Sequence, residues 1–420
     1  MQETATEYRK RNLESWLRKT LNTRPLVYLN GPRQCGKSTL AKNACPKDSC
    51  NYLSFDSPVN IAAAKADPAK FIQSLPAGLL NIIDEVQAVP EIFPYLKMEV
   101  DKYREKGRGT GLFLLTGSAN LMALPCLSEA LVGRMSVLTL LSFSSSECRR
   151  RGVNFIDRLF EEKLEYRSYK ACDIPEIISN ATFPELALYP AIDRNQWLGD
   201  YLNTLLQRDV RTVTDIRSPS KMIMLLSILA MRAGGLLNNS LAAQETGLDI
   251  KTYERYKSAA QNTFILFEIP AWSKPNRINK RFTRSSKLYF TDTNLLAYLL
   301  RRDTQDIYDN DRIAMGRLFE NFIATEIMKN AASLTALEVS HFRTSDQKEV
   351  DFVLEKGGEL IGIEVKLSAA PGANDFAGLK LLKEATTDRF KLGAVIYSGT
   401  ELLPFGEDLW AIPVNYLWEG

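Results

Sequence analysis

The sequence predicts an α/β protein that opens with a parallel sheet, passes through a helical middle ending in a hairpin, and closes with a second mixed α/β segment. Three observations predict this. Short apolar runs at Leu26–Leu29, Asn51–Phe55, Leu79–Ile83 and Gly111–Leu115 alternate with stretches long enough for helices, as buried parallel strands joined by crossovers do. Between Pro219 and Thr291, helix-period segments precede two strand-like runs. Beyond Ile313 a helix pattern gives way to strict alternation of apolar and charged residues. At about 100 to 200 residues per domain, the 420 residues suffice for two to four domains.

In chain order, Tyr8–Lys19 reads as an amphipathic helix with Leu13, Trp16 and Leu17 on one face. The four strands follow. The regular alternation fades after Phe143, where Arg149, Arg150 and Arg151 and the charged stretch Arg158–Lys170 suggest a boundary or an exposed helix, and the chain reads as helical to Arg217. Met222–Ala230 and Ser240–Thr246 are helix candidates, and Asp249 is placed to cap a third over Ile250–Thr263. Phe264–Ile269 and Lys287–Thr291 read as strands around a basic loop, so three helices and a hairpin make a winged-helix pattern.

Composition excludes whole classes of chemistry. His341 is the only histidine, which removes Ser-His-Asp triads, His-rich zinc sites and HExxH proteases. Carboxylates, lysine, arginine, hydroxyls and backbone amides remain. With 53 Lys and Arg against 50 Asp and Glu, the net charge of +3 gives no whole-molecule attraction for a polyanion, so any nucleic-acid surface must be local. The six cysteines form no CxxC pair and are expected as reduced thiols. A charged N-terminus without an apolar core and apolar runs far short of a bilayer span predict a cytoplasmic protein without a membrane partner.

Gly31, Pro32, Arg33, Gln34, Cys35, Gly36, Lys37 and Ser38 match GxxxxGK[ST] directly after an apolar strand. Glycines allow the close backbone approach by which successive amides surround a phosphate, and the following helix, which includes Thr39, adds its N-terminus. Lys37 is expected on the β- and γ-phosphates of ATP and Ser38 on Mg²⁺. The strand Leu79–Ile83 runs into Asp84 and Glu85; Asp84 is read as a Mg²⁺ ligand and Glu85 as the group that polarises the attacking water, with a helix cap as the plainer alternative. Thr116 and Ser118, at the end of the next strand, are candidates to sense the γ-phosphate, as in AAA-like P-loop ATPases with an extra strand, which the pattern resembles. Arg134 is either a charge near the nucleotide or half of a surface salt bridge.

Between Ser273 and Lys287 stand Lys274, Arg277, Lys280, Arg281, Arg284 and Lys287 with no acidic residue. On a hairpin they would face a phosphate backbone, together with Lys251, Arg255 and Lys257 on the preceding helix, and DNA is the expected partner. A solvated wing or an interdomain contact is the alternative.

Further on, Val350, Phe352 and Leu354 alternate with Glu349, Asp351 and Glu355, and Ile361, Ile363 and Val365 with Gly362, Glu364 and Lys366. A turn at Gly357-Gly358 would set Asp351 opposite Glu364 and Glu349 opposite Lys366, with Val350, Phe352 and Leu354 on one buried face. Opposed carboxylates repel unless a cation lies between them, and a divalent metal held by Asp351 and Glu364 would remove that cost, with Lys366 as a catalytic cation. This spacing resembles the PD-(D/E)xK nuclease core, and the resemblance implies that Glu320, on the preceding helix, joins the metal ligands. An exposed face with a Glu349–Lys366 salt bridge is the alternative.

In order, GPRQCGKSTL, IIDEVQAVP, LLTGSANL, LVGR, QRDV, KLYFTDTNLLAYL, GRLFENFIATEI, RTSDQKEVDFVLE and IEVK resemble the prokaryotic ATPases in which an AAA domain precedes a DUF4143 region. The resemblance covers nearly the whole chain. It implies an N-terminal P-loop (AAA-like) domain over 1–150, a helical lid or linker over 151–215, a central winged helix over 216–300 and a restriction-endonuclease-like α/β domain over 305–420. Cys35 stands where Val or Ser is common and Asn294 where Gly is common, and Asn294 is expected to tolerate positive φ in a turn. The expected activity is Mg²⁺-dependent ATP hydrolysis coupled to DNA binding, with metal-dependent cleavage as an extension; the alternative is a nucleotide-gated interaction switch with an inert nuclease-like domain. Homo-oligomerisation is compatible with either.

Overall fold

The computed structural model describes residues 8–107, 109–118, 133–213, 219–273, 285–344 and 346–419. These form two units, one comprising Arg11–Ser142 with Asn262–Phe264 and the other the remainder. The first is built on a five-stranded parallel sheet of β1 (Leu26–Asn30), β2 (Cys50–Ser54), β3 (Leu80–Asp84), β4 (Phe113–Gly117) and β5 (Met135–Thr139), in the order β2-β3-β4-β1-β5. Four of the strands lie where the apolar runs predicted. The fifth, β5, was not anticipated, because an edge strand buried on one side carries a weaker apolar signal. Only Leu138 of its residues is buried, whereas β1 and β4 are buried throughout. The first helix is Leu13–Thr23, later than the predicted Tyr8–Lys19. It stops where Arg24, held extended by the following Pro25, leaves helical geometry (φ −124°, ψ 143°).

Inserting β4 between β1 and β3 has a functional consequence. In a parallel sheet all strands end on one edge, so the loop after β1, the acidic end of β3 and the hydroxyls after β4 gather there.

The second unit begins with short helices and the long helix Arg194–Val213. Helices Pro219–Ala230, Asn239–Thr246 and Ile250–Asn262 precede an antiparallel pair, β7 (Leu266–Ile269) and β8 (Lys287–Phe290). Asp249 caps the third helix as predicted, accepting the Thr252 amide at 3.0 Å. Asn294 lies inside the helix Thr293–Leu299, not in a positive-φ turn; its amide instead donates to Ile178 O at 3.1 Å, a role glycine could not fill.

A seven-stranded sheet completes this unit. It contains β6 (Arg167–Ser168), β9 (Leu337–Arg343), β10 (Glu349–Lys356), β11 (Glu359–Lys366), β12 (Phe390–Tyr397), β13 (Glu401–Pro404) and β14 (Leu409–Pro413), in the order β6-β13-β14-β12-β11-β10-β9. The β10–β11 hairpin turns at Gly357 and Gly358, both at positive φ (61° and 90°), and pairs Phe352 with Ile363 and Leu354 with Ile361, the predicted register. Both sheet faces are covered. Phe352, Leu354, Ile361 and Ile363 join the core that includes the helix Arg312–Ala331, and Val353, Leu360 and Val395 meet the helix Ala377–Thr386 on the other side. Val350 belongs to the second face, not to that of Phe352 as the alternation predicted, because the β9–β10 register shifts between Val350 and Val353 and reverses the alternation.

Five cysteines, Cys35, Cys45, Cys50, Cys148 and Cys172, are free thiols, and Cys126 falls outside the described residues. No described helix is long and apolar enough to cross a membrane.

Candidate functional site

The loop from Gly31 to Ser38 joins β1 to the helix Lys37–Asn43. Gly31 has φ 145°, and a Cβ there would lie 2.0 Å from Leu140 O, so only glycine lets the loop run this close to the end of β5. Gln34 (φ 59°) and Gly36 (φ 95°) adopt the left-handed conformations from which backbone amide nests are built. Lys37 is buried and its Nζ donates to Gly31 O at 3.0 Å and Pro32 O at 2.8 Å, which keeps the ammonium over the loop. Pro32 is buried, Arg33 and Ser38 are half-buried, and Gln34 and Thr39 are exposed. Cys35 is buried, with Sγ donating to Leu140 O at 3.2 Å. Sequence reasoning missed Arg11, whose buried guanidinium donates to Cys35 O at 2.8 Å, Leu141 O at 2.7 Å and Ser142 O at 3.3 Å.

At the end of β3, Asp84 is buried and accepts hydrogen bonds from Tyr52 OH at 2.6 Å and from the Thr116 hydroxyl. Burial and the adjacent Asp84 carboxylate raise the Tyr52 pKa, so the phenol stays a donor. Thr116 Oγ1 also accepts the Glu85 amide at 3.3 Å. Thr116 is fully buried, and its hydroxyl bridges the two members of the acidic pair. Glu85 sits at φ 55°, a left-handed turn that lifts it out of the strand direction. Gln87 donates to both Glu85 Oε2 and Ser118 Oγ, the latter at 3.2 Å. Tyr52 and Gln87 were not singled out from sequence; Gln87 lies in the same motif as the acidic pair.

Asp84 and Ser38 supply hard oxygen donors of the kind Mg²⁺ takes. The two hydrogen bonds to Asp84 use one lone pair on each carboxylate oxygen and leave further acceptor capacity, so the donor set fits that ion. Arg134 forms a two-pronged ion pair with Asp101, Nε to Oδ1 at 2.6 Å and Nη2 to Oδ2 at 3.0 Å, the surface-pair alternative.

The C-terminal carboxylates lie inside the second unit. Asp351 and Glu364 are buried, which removes the exposed-face alternative. Lys287 of β8 donates to Asp351 Oδ1 at 2.6 Å and Glu320 Oε1 at 3.1 Å. Tyr289 OH donates to the same Glu320 oxygen at 2.7 Å, Val365 N–H to Asp351 Oδ2 at 2.9 Å, and Lys366 Nζ to Glu364 Oε1 at 2.7 Å. Glu349 pairs with Arg343 at 3.6 Å and Lys366 with Glu364, not with each other as the exposed-face alternative had it. Where a divalent metal was expected among Glu320, Asp351 and Glu364, the structure places the Lys287 ammonium between Glu320 and Asp351. Burial, and then the Asp351 charge, raise Glu320 to about 7 and Glu364 to about 8. Burial opposes the Lys287 charge, but Asp351 and Glu320 outweigh it and raise its pKa.

The predicted basic wing changes accordingly. Lys274, Arg277, Lys280, Arg281 and Arg284 lie outside the described residues. Lys287 is committed to the carboxylates, and Lys257 pairs with Glu268 at 2.7 Å, while Lys251 and Arg255 are exposed.

Known families match three stretches: an AAA domain over residues 23–149, a domain of unknown function, DUF8612, over 173–306, and another, DUF4143, over 315–417. The uncharacterized protein Rv2008c of Mycobacterium tuberculosis is 28% identical over 417 residues, covering 97% of this chain and 84% of that protein, and the uncharacterized protein Mb2031c of Mycobacterium bovis matches to the same extent. Among solved structures, a Walker-type ATPase of Pyrococcus abyssi is similar at 14% identity, covering 68% of this chain and 94% of that one, with a TM-score of 0.38. A RuvB variant of Thermotoga maritima is similar at 18% identity over 62% and 89% of the two chains, with a TM-score of 0.30.

Proposed function

We propose that this chain, which matches an AAA domain over residues 23–149 and DUF4143 over 315–417, is an ATP hydrolase whose ATP cycle depends on Mg²⁺ and gates the binding of DNA. The observation that carries this reading is the acidic pair at the end of β3, braced by Thr116 on the same sheet edge as the phosphate loop.

In this reading the loop amides take the ATP phosphates, and Lys37 moves from the Gly31 and Pro32 carbonyls onto the β- and γ-phosphates. Ser38 and Asp84 would hold Mg²⁺, which supplies Lewis-acid neutralisation of the charge on the transferring phosphoryl group. Glu85 polarises the water that attacks the γ-phosphorus and accepts its proton as the bond to the β-phosphate oxygen breaks, releasing ADP and phosphate. Gln87 fixes the Glu85 carboxylate for that step. Support for DNA comes from the segment 274–284, which carries Lys274, Arg277, Lys280, Arg281 and Arg284 and no acidic residue, and from exposed Lys251 and Arg255 on the helix before the hairpin, the placement expected of a winged helix.

A second reading has its own support. With Lys287 seated between Glu320 and Asp351, the nuclease-like region is inert toward DNA, and the ATPase acts as a nucleotide-gated switch.

The test is ATP turnover and DNA binding by the full chain in each nucleotide state at several salt concentrations. Lys37→Ala is expected to lose ATP binding and Glu85→Gln to bind ATP but hydrolyse it slowly. Wild-type turnover equal to that of Lys37→Ala overturns the mechanism, and DNA affinity that does not fall with salt overturns the DNA contact. DNA left intact with Mg²⁺ or Mn²⁺ favours the switch.

A further inference from the structure

We infer that Lys287 is the resident cation of the C-terminal carboxylate cluster: its ammonium takes the position a divalent ion would need, so that Glu320, Asp351 and Glu364 form a metal-free ionic site in this chain. The cluster therefore holds a latent metal site that the lysine closes.

Geometry carries the inference. The Lys287 side chain is 3% exposed, and it reaches Asp351 at 2.6 Å and Glu320 at 3.1 Å, whose side chains are 6% and 19% exposed. This is not a long side chain resting on a surface. Its backbone is fixed in β8, which pairs with β7 on one side and bridges Leu236 on the other, so the ammonium is delivered by a sheet and not by a mobile loop. The remaining donors are arranged around it: Tyr289 OH shares Glu320 Oε1, and the Val365 amide takes the second Asp351 oxygen.

Mg²⁺ requires near-octahedral oxygen ligands at about 2.0 to 2.1 Å. An ion bound to Glu320 Oε1 and Asp351 Oδ1 would lie within a few ångströms of Nζ, where two cations repel strongly in a buried site. Lysine and metal are thus exclusive occupants. An independent sign of imperfect substitution is Glu364 Oε2, which is buried and has no hydrogen-bond partner among the described residues. One ammonium satisfies two of the three carboxylates, and Lys366 meets only the other oxygen of Glu364.

The experiment is Mn²⁺ binding to the full chain without nucleotide, read by electron paramagnetic resonance of free Mn²⁺ and by calorimetry. Wild type and Asp351→Asn are expected to bind the same amount of Mn²⁺. Lys287→Met, an unbranched and uncharged side chain one heavy atom shorter, is expected to gain one Mn²⁺ per chain, lost again in Lys287→Met/Asp351→Asn, and its thermal midpoint is expected to rise with Mn²⁺ while that of wild type does not. A Mn²⁺ equivalent in wild type that Asp351→Asn abolishes overturns the inference, as does folded Lys287→Met that gains none. Should Lys287→Met not fold, the comparison of wild type with Asp351→Asn still decides. ATP turnover depends on none of these residues, so either result leaves the ATPase mechanism standing.

Discussion

Thr116 at the end of β4 donates its hydroxyl hydrogen to Asp84 at the end of β3 and accepts the amide of Glu85 at 3.3 Å, so one buried hydroxyl fixes both members of the acidic pair. Thr116→Val keeps the volume and leaves a buried carboxylate oxygen and an amide unpaired, a loss of about 1 to 3 kcal/mol. If that loss falls on alignment of Glu85 and Asp84, kcat drops about 10- to 100-fold while ATP affinity changes little. Thr116→Ser should restore most of the rate. Steady-state kinetics with direct nucleotide binding check this, and an equal loss of affinity would show that Thr116 meets the nucleotide instead.

Arg11 lies well before the phosphate-loop motif, yet its guanidinium ties Cys35 O of the loop to Leu141 O and Ser142 O beyond β5. Arg11→Ala leaves three carbonyls short of a charged donor and frees the loop, so a stability loss of about 2 to 4 kcal/mol and roughly tenfold weaker ATP binding are expected. Arg11→Lys cannot reach three acceptors with a planar fork and should recover only part. Urea denaturation and nucleotide titration of both variants decide; unchanged ATP affinity in Arg11→Ala would make the clamp purely structural.

The buried carboxylates and His341 set opposite pH limbs. Glu364 and Glu320 rise from 4.5 to about 8 and about 7 through burial and the Asp351 charge, so the native state holds protons the unfolded chain has released. Their contribution to stability is full below about 4.5 and is lost as pH rises through 7 to 8. Burial lowers His341 from 6.5 to about 4, and its contribution is present above 6.5 and lost as pH falls toward 4. Denaturation midpoints from pH 4 to 9 should therefore peak near the middle, with Glu364→Gln flattening the alkaline limb. An alkaline limb that persists in that variant would assign it to other groups.

Legibility followed locality. The phosphate loop, the acidic strand end and the Gly357-Gly358 turn were readable because each is a contiguous segment whose backbone demands glycine or whose strand ends in charge. Thr116, Tyr52 and Arg11 acquire their roles only when strand order brings them to Asp84 and to the loop, and sequence spacing carries no trace of β4 lying between β1 and β3. Lys287 was the sharpest misreading. By composition it was the last of a basic run, and only the fold shows it turned inward onto Asp351. The register shift between Val350 and Val353 was hidden too, since a bulge leaves the alternation of residue types intact while reversing the faces.

Glu326 and Lys329, one turn apart on the helix Arg312–Ala331, form a buried ion pair at 3.4 Å that also holds backbone. Glu326 accepts the Ser145 amide at 3.0 Å, and Lys329 donates to Phe143 O at 2.9 Å and Ala181 O at 3.2 Å. Lys329→Met strands the Glu326 carboxylate in a fully buried site and should cost about 3 to 5 kcal/mol. Burial already raises the Glu326 pKa, so part of that cost is relieved at low pH by protonation, and the variant should be least destabilised in acid. Glu326→Gln/Lys329→Met keeps an acceptor for the Ser145 amide and removes both charges, so it should be more stable than Lys329→Met alone. Chemical denaturation of the double-mutant cycle at acid and neutral pH measures the coupling, and additive losses would mean that the two side chains act separately on the backbone.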